Sequence, residues 1–368
     1  MANQFLTIKE VARQALPRLI ENLVFPNLVY RDFSDTFQKK GDEIQIRKPV
    51  KLEAKEFNPS TGVQAQDIDD SQTVTVKLDK IATVDVDISA LEGALNIDDL
   101  NRQFIEPAAV ALAQKINSDG LSLYADIPYV CGTAGTTPGE LTDLAAVRKV
   151  LNANKVPVTG RKAVWDTEAD AAFTTIPAIV NAEKSGSTAA LREGSIGRLF
   201  GLDNYMSQAV KHHTAGSLSA AVKPKAATSA GADSLTLSAE AVTGSLKKGD
   251  ILTILNKTYV VTADATAASN EITVSIYPAL QDNVNTNTAV AITASHTANL
   301  AFAPMAFAFV TRPLVTPSGV ECYTTSYNGV SLRVTKGYDM KYKKEMLSMD
   351  VLYAYKTIYP ELAVRALG

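Results

Sequence analysis

The first hydrophobic pattern in the chain predicts an amphipathic helix over residues 7–24. Apolar residues recur there at the three- and four-residue spacing of one helix face. Thr7 followed by Glu10 fits a capping box, and Pro17 is expected to kink the helix. Because a single amphipathic helix needs a surface to pack against, we expect this helix to lie on another part of the protein or on another molecule.

Two stretches that alternate apolar and polar residues flank a long polar loop. Residues 41–50 and 73–88 alternate in this way and are predicted to be strands. The loop between them has no apolar core, and a structureless loop of this length is unusual inside a compact domain. It is either disordered or folds against another molecule, and the flanking strands favour a long two-stranded arm over residues 41–88. Its candidate intersubunit contacts are Glu53, Lys55, Glu56, Asp67, Asp69 and Asp70.

A second helix is predicted over residues 96–124, where Pro107 should bend or divide it. The region 128–215 mixes elements: "LTDLAAVRKVLNANKV" reads as a helix, "KAVWD" as a short buried strand, and "GRLFGLDNYMSQAV" as a loop and then a strand. Both regions therefore predict a mixed α and β architecture.

The segment 216–298 differs in composition from its flanks. It is rich in Ala, Ser and Thr and contains short strand patterns separated by turns, which predicts a small all-β barrel or sandwich inserted into a parent domain. After it, strand patterns return in "AFAFVTRPL", "GVSLRVTKGYDMKY" and the closing "DVLYAYKTIYPELAVRALG". In the closing stretch, both faces are apolar or aromatic, so we expect it to be packed on both sides.

Composition and charge narrow the class of protein. The chain has 368 residues, of which 46% are hydrophobic and 20% charged, as in folded globular proteins. Its net charge of −3 does not suit a protein that grips nucleic acid, since such proteins are usually basic. No signal-peptide pattern is visible, so we expect a cytosolic protein. Cys131 and Cys322 are expected to be buried free thiols.

The sequence contains few residues that could form a catalytic or metal-binding site. The three histidines are His212, His213 and His296, and adjacent strand residues cannot both face one metal. We expect these histidines to be solvated. The glycine-rich stretches match no nucleotide-binding motif, and neither a nucleophile elbow nor a metal-ligand spacing is present. The sequence predicts no catalytic residue, no cofactor and no metal. The run Lys341, Lys343 and Lys344 is expected to lie on a solvated strand edge.

The predicted elements include several projecting parts: a terminal helix, a long arm, a long helix and an inserted β domain. Such parts gain most when each one buries its surface on a neighbour, as in an assembly.

The order of these elements resembles the major capsid proteins of tailed bacteriophages with the Hong Kong 97-type fold. The likeness is to coat proteins of short-tailed phages that carry an inserted β-barrel domain. It rests on "GDEIQIRKP", "LNRQFIEPAAVALAQKI", "GRLFGLDNYMSQAV", "AFAFVTRPL" and the closing stretch, with "LKKGDILTI" through "VSIYPAL" resembling the inserted domain.

The resemblance implies an α+β fold with named parts. They are the amino-terminal arm (1–40), the extended loop (41–88), a peripheral domain with its spine helix (89–127 and 329–368), an axial domain (128–215 and 299–328) and the inserted β-barrel-like domain (216–298).

It further implies a structural subunit, not an enzyme, that assembles into the icosahedral shell around phage double-stranded DNA. The expected partners are other copies in pentamers and hexamers, a scaffolding protein and a portal during assembly, DNA bound without sequence specificity, and possible decoration proteins, with no membrane. The expected location is the virion, assembled in the host cytoplasm. Lys51 and Lys55 lie in the loop where some members form a crosslink, but none is expected here. The alternatives are an encapsulin-like shell around protein cargo, an unrecognised enzyme and a secreted surface protein.

Overall fold

The structure is a computed structural model, and it describes residues 8–31, 43–47, 59, 62, 73–87, 105–186, 188–218, 221–339 and 344–368. The described residues form two compact units. The first draws on residues 1–20, 31–112 and 309–358, and the second on residues 21–30, 113–308 and 359–368.

The first unit is built on a five-stranded sheet, in which three of the strand pairs are antiparallel. The long strand Lys344–Thr357 lies inside it and pairs along Val330–Asp339 and Lys80–Asp87. Strand Glu321–Tyr327 follows at one edge, and Phe307–Arg312 completes the sheet. A separate two-stranded antiparallel ribbon joins Glu43–Arg47 to Thr73–Lys77.

The core of this unit lies on both faces of the long strand. Val351, Leu352, Tyr353 and Ala354 are all at most 2% exposed, which confirms that this stretch is packed on both sides. Leu352 packs in a cluster with Val76, Leu78, Val310 and Ala354. The helix Ile8–Asn22 contains Pro17 and buries one apolar face, made of Ile8, Val11, Ala12, Ala15, Leu16 and Leu19.

The second unit contains a mixed seven-stranded sheet. Its order from one edge is Val130–Cys131, Ala363–Leu367, His296–Phe302, Arg161–Trp165, Leu202–Met206 and Arg198–Leu199, with His212–His213 also paired to His296–Phe302. The terminal strand Ala363–Leu367 is therefore internal, parallel to one neighbour and antiparallel to the other.

Helices cover this sheet and complete its core. Trp165 and Phe173 contact edge to face, with ring centroids 4.9 Å apart. The helix Leu141–Ala153 begins at a capping box in which Glu140 and Asp143 exchange hydrogen bonds with each other's backbone. The described helices of this region are Glu106–Leu121, Leu141–Ala153, Thr167–Thr174, Pro177–Val180, Ala182–Ser185 and Ala189–Glu193.

A six-stranded antiparallel sheet occupies the segment after residue 221. Its order is Val290–Ile292, Ile251–Ile254, Lys257–Val261, Glu271–Tyr277, Ser234–Ser238 and Lys223–Pro224, with a small ribbon of Ser245–Leu246 and Ala265–Thr266 beside it. The alternating pattern of Glu271–Tyr277 sends Ile272, Val274 and Ile276 into a hydrophobic cluster made only of residues from this segment.

Most predicted elements are confirmed as elements. The helix over residues 7–24 is observed as Ile8–Asn22, and the helix in the 128–215 region as Leu141–Ala153. The second predicted helix, 96–124, is described as Glu106–Leu121, which contains Pro107, and residues 96–104 of the prediction lie outside the described residues.

The predicted domain boundaries stay predictions, and three of the assigned segments pair with strands outside their assigned group. Lys80–Asp87, assigned to the extended loop, is a strand of the five-stranded sheet. Residues 309–328, assigned to the axial domain, belong to the first unit, and Ala363–Leu367, assigned to the peripheral domain, lies in the seven-stranded sheet. The physical reason is that alternation identifies a strand but carries no information about its distant partner.

Candidate functional site: a buried polar cluster

The predicted contact residues of the extended loop lie outside the described residues. This holds for Glu53, Lys55, Glu56, Asp67, Asp69 and Asp70, so the structure does not test them. The cysteines are free and half-buried. The expectation that the histidines are solvated is wrong for two of them, because His213 is 3% and His296 0% exposed. Only His212 is exposed.

Strand pairing brings the two buried histidines together. His213 and His296 are directly opposite each other in the ladder between their strands, and their ring centroids are 5.2 Å apart. His212 and His213 point to opposite faces because side chains alternate along a strand. The sequence therefore places one imidazole of the adjacent pair inside and the other in solvent.

Arg365 of the terminal strand lies at the centre of the cluster and is fully buried. Its Nη1 donates to the Gly249 carbonyl oxygen at 2.9 Å, and its Nη2 donates to the carbonyl oxygens of Tyr124 at 2.5 Å and Ile127 at 3.2 Å. The guanidinium also lies 4.9 Å from the centre of the Tyr124 ring, a cation–π contact. Burial lowers the pKa of Arg365 to about 10, which leaves it charged at neutral pH.

His296 accepts a hydrogen bond from this arginine. Its Nδ1 lies 2.8 Å from the Ala294 carbonyl oxygen, which can only accept, so Nδ1 carries the proton. Its Nε2 faces Arg365 Nη1 at 3.4 Å and must be the acceptor. Burial, with a smaller contribution from the charge of Arg365, lowers the pKa of His296 to about 4. The neutral tautomer therefore fits its surroundings.

His213 and Asp250 form the second half of the cluster. His213 Nε2 donates to Asp250 Oδ1 at 2.8 Å, and His213 Nδ1 lies 3.1 Å from the Tyr124 hydroxyl oxygen. Asp250 is fully buried and also accepts from the backbone N–H groups of Gly216 and Lys247. Its carboxylate is thus well satisfied by hydrogen bonds, as a buried charge requires.

A tight turn brings Asp250 into place. Gly249 in this turn has a φ of +96°, and a Cβ there would lie 3.0 Å from Ala125 Cβ. Glycine is required both by the backbone conformation and by the close approach. The turn Lys247–Asp250 is therefore pressed against the segment that follows the helix Glu106–Leu121.

The buried position of this cluster fits a structural role better than a catalytic one. A His–Asp pair is a common base and orienting partner in hydrolases, but here both side chains are buried and a substrate cannot reach them. Among the described residues, no group of three or more His, Cys, Asp or Glu side chains could hold a metal ion. No helix in the described part of the chain is long and apolar enough to cross a membrane.

Sequence reasoning missed this cluster, although one signal was available. Arg365 lies between apolar residues in "AVRAL", and a charge in the middle of a fully apolar strand indicates a buried, hydrogen-bonded group. Nothing in the sequence pairs it with His296, Asp250 or Tyr124, which are 69 to 241 residues away.

Solved structures similar to this chain include structures from phages and an encapsulin. A structure from Mycobacterium phage Che8 is 18% identical, with 94% of this chain and 90% of that chain covered and a TM-score of 0.54. The capsid structure of cyanophage P-SCSP1u is 12% identical, with 94% and 88% covered and a TM-score of 0.49. An encapsulin complex from Synechococcus elongatus is 11% identical, with 100% and 92% covered and a TM-score of 0.39. No family model and no curated protein matches the sequence.

The likeness to the Che8 structure extends over nearly the whole of both chains. The chain therefore shares its fold with the structure from Mycobacterium phage Che8. At 18% identity, the comparison shows the fold alone and does not show the function.

Proposed function

We propose that this protein is the major capsid subunit of a tailed bacteriophage and assembles with copies of itself into an icosahedral shell around double-stranded DNA. The observation that carries the proposal is the fold, matched over 94% of the chain to the structure from a phage. The chemistry is consistent with a structural role, since the polar cluster around Arg365 is enclosed. A scaffolding protein and a portal are the proposed assembly partners, and assembly in the host cytoplasm is part of the proposal.

The extended loop is proposed to lie over an adjacent subunit. Its charged residues Glu53, Lys55, Glu56, Asp67, Asp69 and Asp70 would meet opposite charges there. Exposed ion pairs are each worth only about 0–1 kcal/mol, but a closed shell repeats every contact many times. The described base of the loop, where Glu43–Arg47 pairs with Thr73–Lys77, supports a projecting ribbon.

Residues 216–298 are proposed to be an inserted domain. The support is the hydrophobic cluster that this segment makes from its own residues, which include Leu237, Tyr259 and Val274. Folding support and contacts between capsomers are its two proposed roles.

Electron microscopy of the purified protein, alone and coexpressed with a scaffolding protein, tests the assembly. We expect closed shells of five- and six-membered rings, and a chain that stays monomeric under both conditions would contradict the proposal. A deletion of residues 55–70 should leave a soluble subunit that assembles poorly. Nucleic acid inside shells isolated from infected cells would support a capsid, whereas protein cargo without DNA would support the encapsulin alternative.

A further inference from the structure

The buried cluster contains two groups that can both be cations, and among the described residues neither donates a hydrogen bond to a carboxylate. Arg365 Nη1 and His296 Nε2 are 3.4 Å apart and both residues are fully buried. Among the described residues, the carboxylate nearest in the cluster, Asp250, is engaged by His213 and by backbone N–H groups instead. Protonation of His296 would place a donor against a donor and two positive charges in contact.

Every titratable or charged group around His296 can be assigned to an element. Arg365 comes from the terminal strand, and His213 and the exposed His212 come from the paired strand. Asp250 and Lys248 come from the turn, where Lys248 Nζ pairs with Asp126 Oδ1 at 2.8 Å. Tyr124 lies beside Asp126 in the segment after the helix. None of the carboxylates in this set makes a hydrogen bond to His296 in the described structure.

The two sides of the contact belong to different sheets. The terminal strand is hydrogen-bonded to a neighbour on each side. The turn Lys247–Asp250 is linked to that strand by the bond from Arg365 to the Gly249 carbonyl. Its other bonds run to His213, Gly216 and Asp126 and, within its own segment, to Val261 and Asp264. Repulsion at His296 should therefore displace the turn, which leads directly into the strand Ile251–Ile254 of the six-stranded sheet.

We propose that His296 and Arg365 form an acid-sensitive latch, in which protonation of His296 releases the turn Lys247–Asp250 and loosens the six-stranded sheet from the terminal strand. The latch is independent of whether the protein forms a shell.

The direction of the pH effect follows from the two states. In the closed cluster the pKa of His296 is lowered from its ordinary 6.5 to about 4. The open state therefore binds the proton more readily. The latch is fully stable above the ordinary pKa and is progressively lost as the pH falls from there toward the lowered value.

Hydrogen–deuterium exchange of the full chain, followed by mass spectrometry and corrected for intrinsic rates, tests the latch. Between about pH 7 and about pH 4.5 we expect exchange of Ile251–Val261 to rise about tenfold more than exchange of the control strand Val330–Asp339. H296Q keeps an acceptor toward Arg365 and cannot be protonated, so its exchange should not respond to pH. H212Q, at the exposed neighbouring histidine, should respond like the unmodified chain.

Three results would overturn the latch: equal changes in both strands, loss of protection in all segments together, or an H296Q variant that retains the pH response. If H296Q does not fold, H296N, which keeps a donor toward the Ala294 carbonyl, replaces it. The comparison of the two strands in the unmodified chain decides the proposal even without a variant.

Discussion

The terminal strand allows a quantitative test of how the second unit is held together. A chain that ends at Arg365 would lack Ala366, Leu367 and Gly368. Although these residues are the last of the sequence, Ala366 and Leu367 are 3% and 4% exposed. They pair with Asn299 and Ala298 of the adjacent strand, so the deletion shortens an internal strand.

The cost of this deletion can be estimated from its parts. Burial of a leucine side chain is worth about 1.5–3 kcal/mol. Gly368 makes three backbone hydrogen bonds, two with Thr297 and one with Gly135, each worth about 0.5–1.5 kcal/mol. The sum, about 3–7.5 kcal/mol, compares with a whole stability of about 5–15 kcal/mol for a typical domain. We therefore expect severe destabilisation, not a mild effect.

Urea unfolding monitored by tryptophan fluorescence is the assay. Trp165 is the only tryptophan in the chain and lies in the same sheet, 1% exposed. L367A should lose about 2–5 kcal/mol, and the deletion should lose more or yield insoluble protein. V158A, at a residue that is 60% exposed, is the matched control and should unfold like the full chain. A deletion variant whose unfolding midpoint equals that of the full chain would refute this reasoning.

Two further predictions concern an ion pair and a glycine. R333M should destabilise the first unit by about 3 kcal/mol, because it leaves the largely buried Asp350 without its cation. The melting temperature should fall in thermal unfolding, whereas K257M, at an exposed ion pair, should not lower it in the same way. Equal effects of the two variants would contradict the argument. G249A should cost about 1–3 kcal/mol more than G231A, because both glycines have positive φ but only Gly249 would bring a Cβ against Ala125; equal unfolding midpoints for the two variants would rule out the steric reason.

Local structure could be predicted from the sequence because its causes are local. The three- and four-residue spacing of apolar positions identified the helix Ile8–Asn22, and the alternation in "NEITVSIYP" identified the strand Glu271–Tyr277. The order of such elements was the basis for the expected capsid-protein fold. The apolar character of both faces around Tyr353 correctly predicted that this strand is buried on both sides.

Which distant strands pair and which distant side chains contact each other was decided only by the tertiary structure. Nothing local assigns Lys344–Thr357 and Ala363–Leu367 to different sheets, since only five residues separate the two strands along the chain. The same holds for the cluster around Arg365. Its hydrogen bonds run to backbone carbonyls, which every residue possesses and no sequence pattern marks, and its histidine partner was predicted to be solvated. Burial turned an ordinary histidine into a neutral acceptor for a buried cation, and burial is a property of the folded chain.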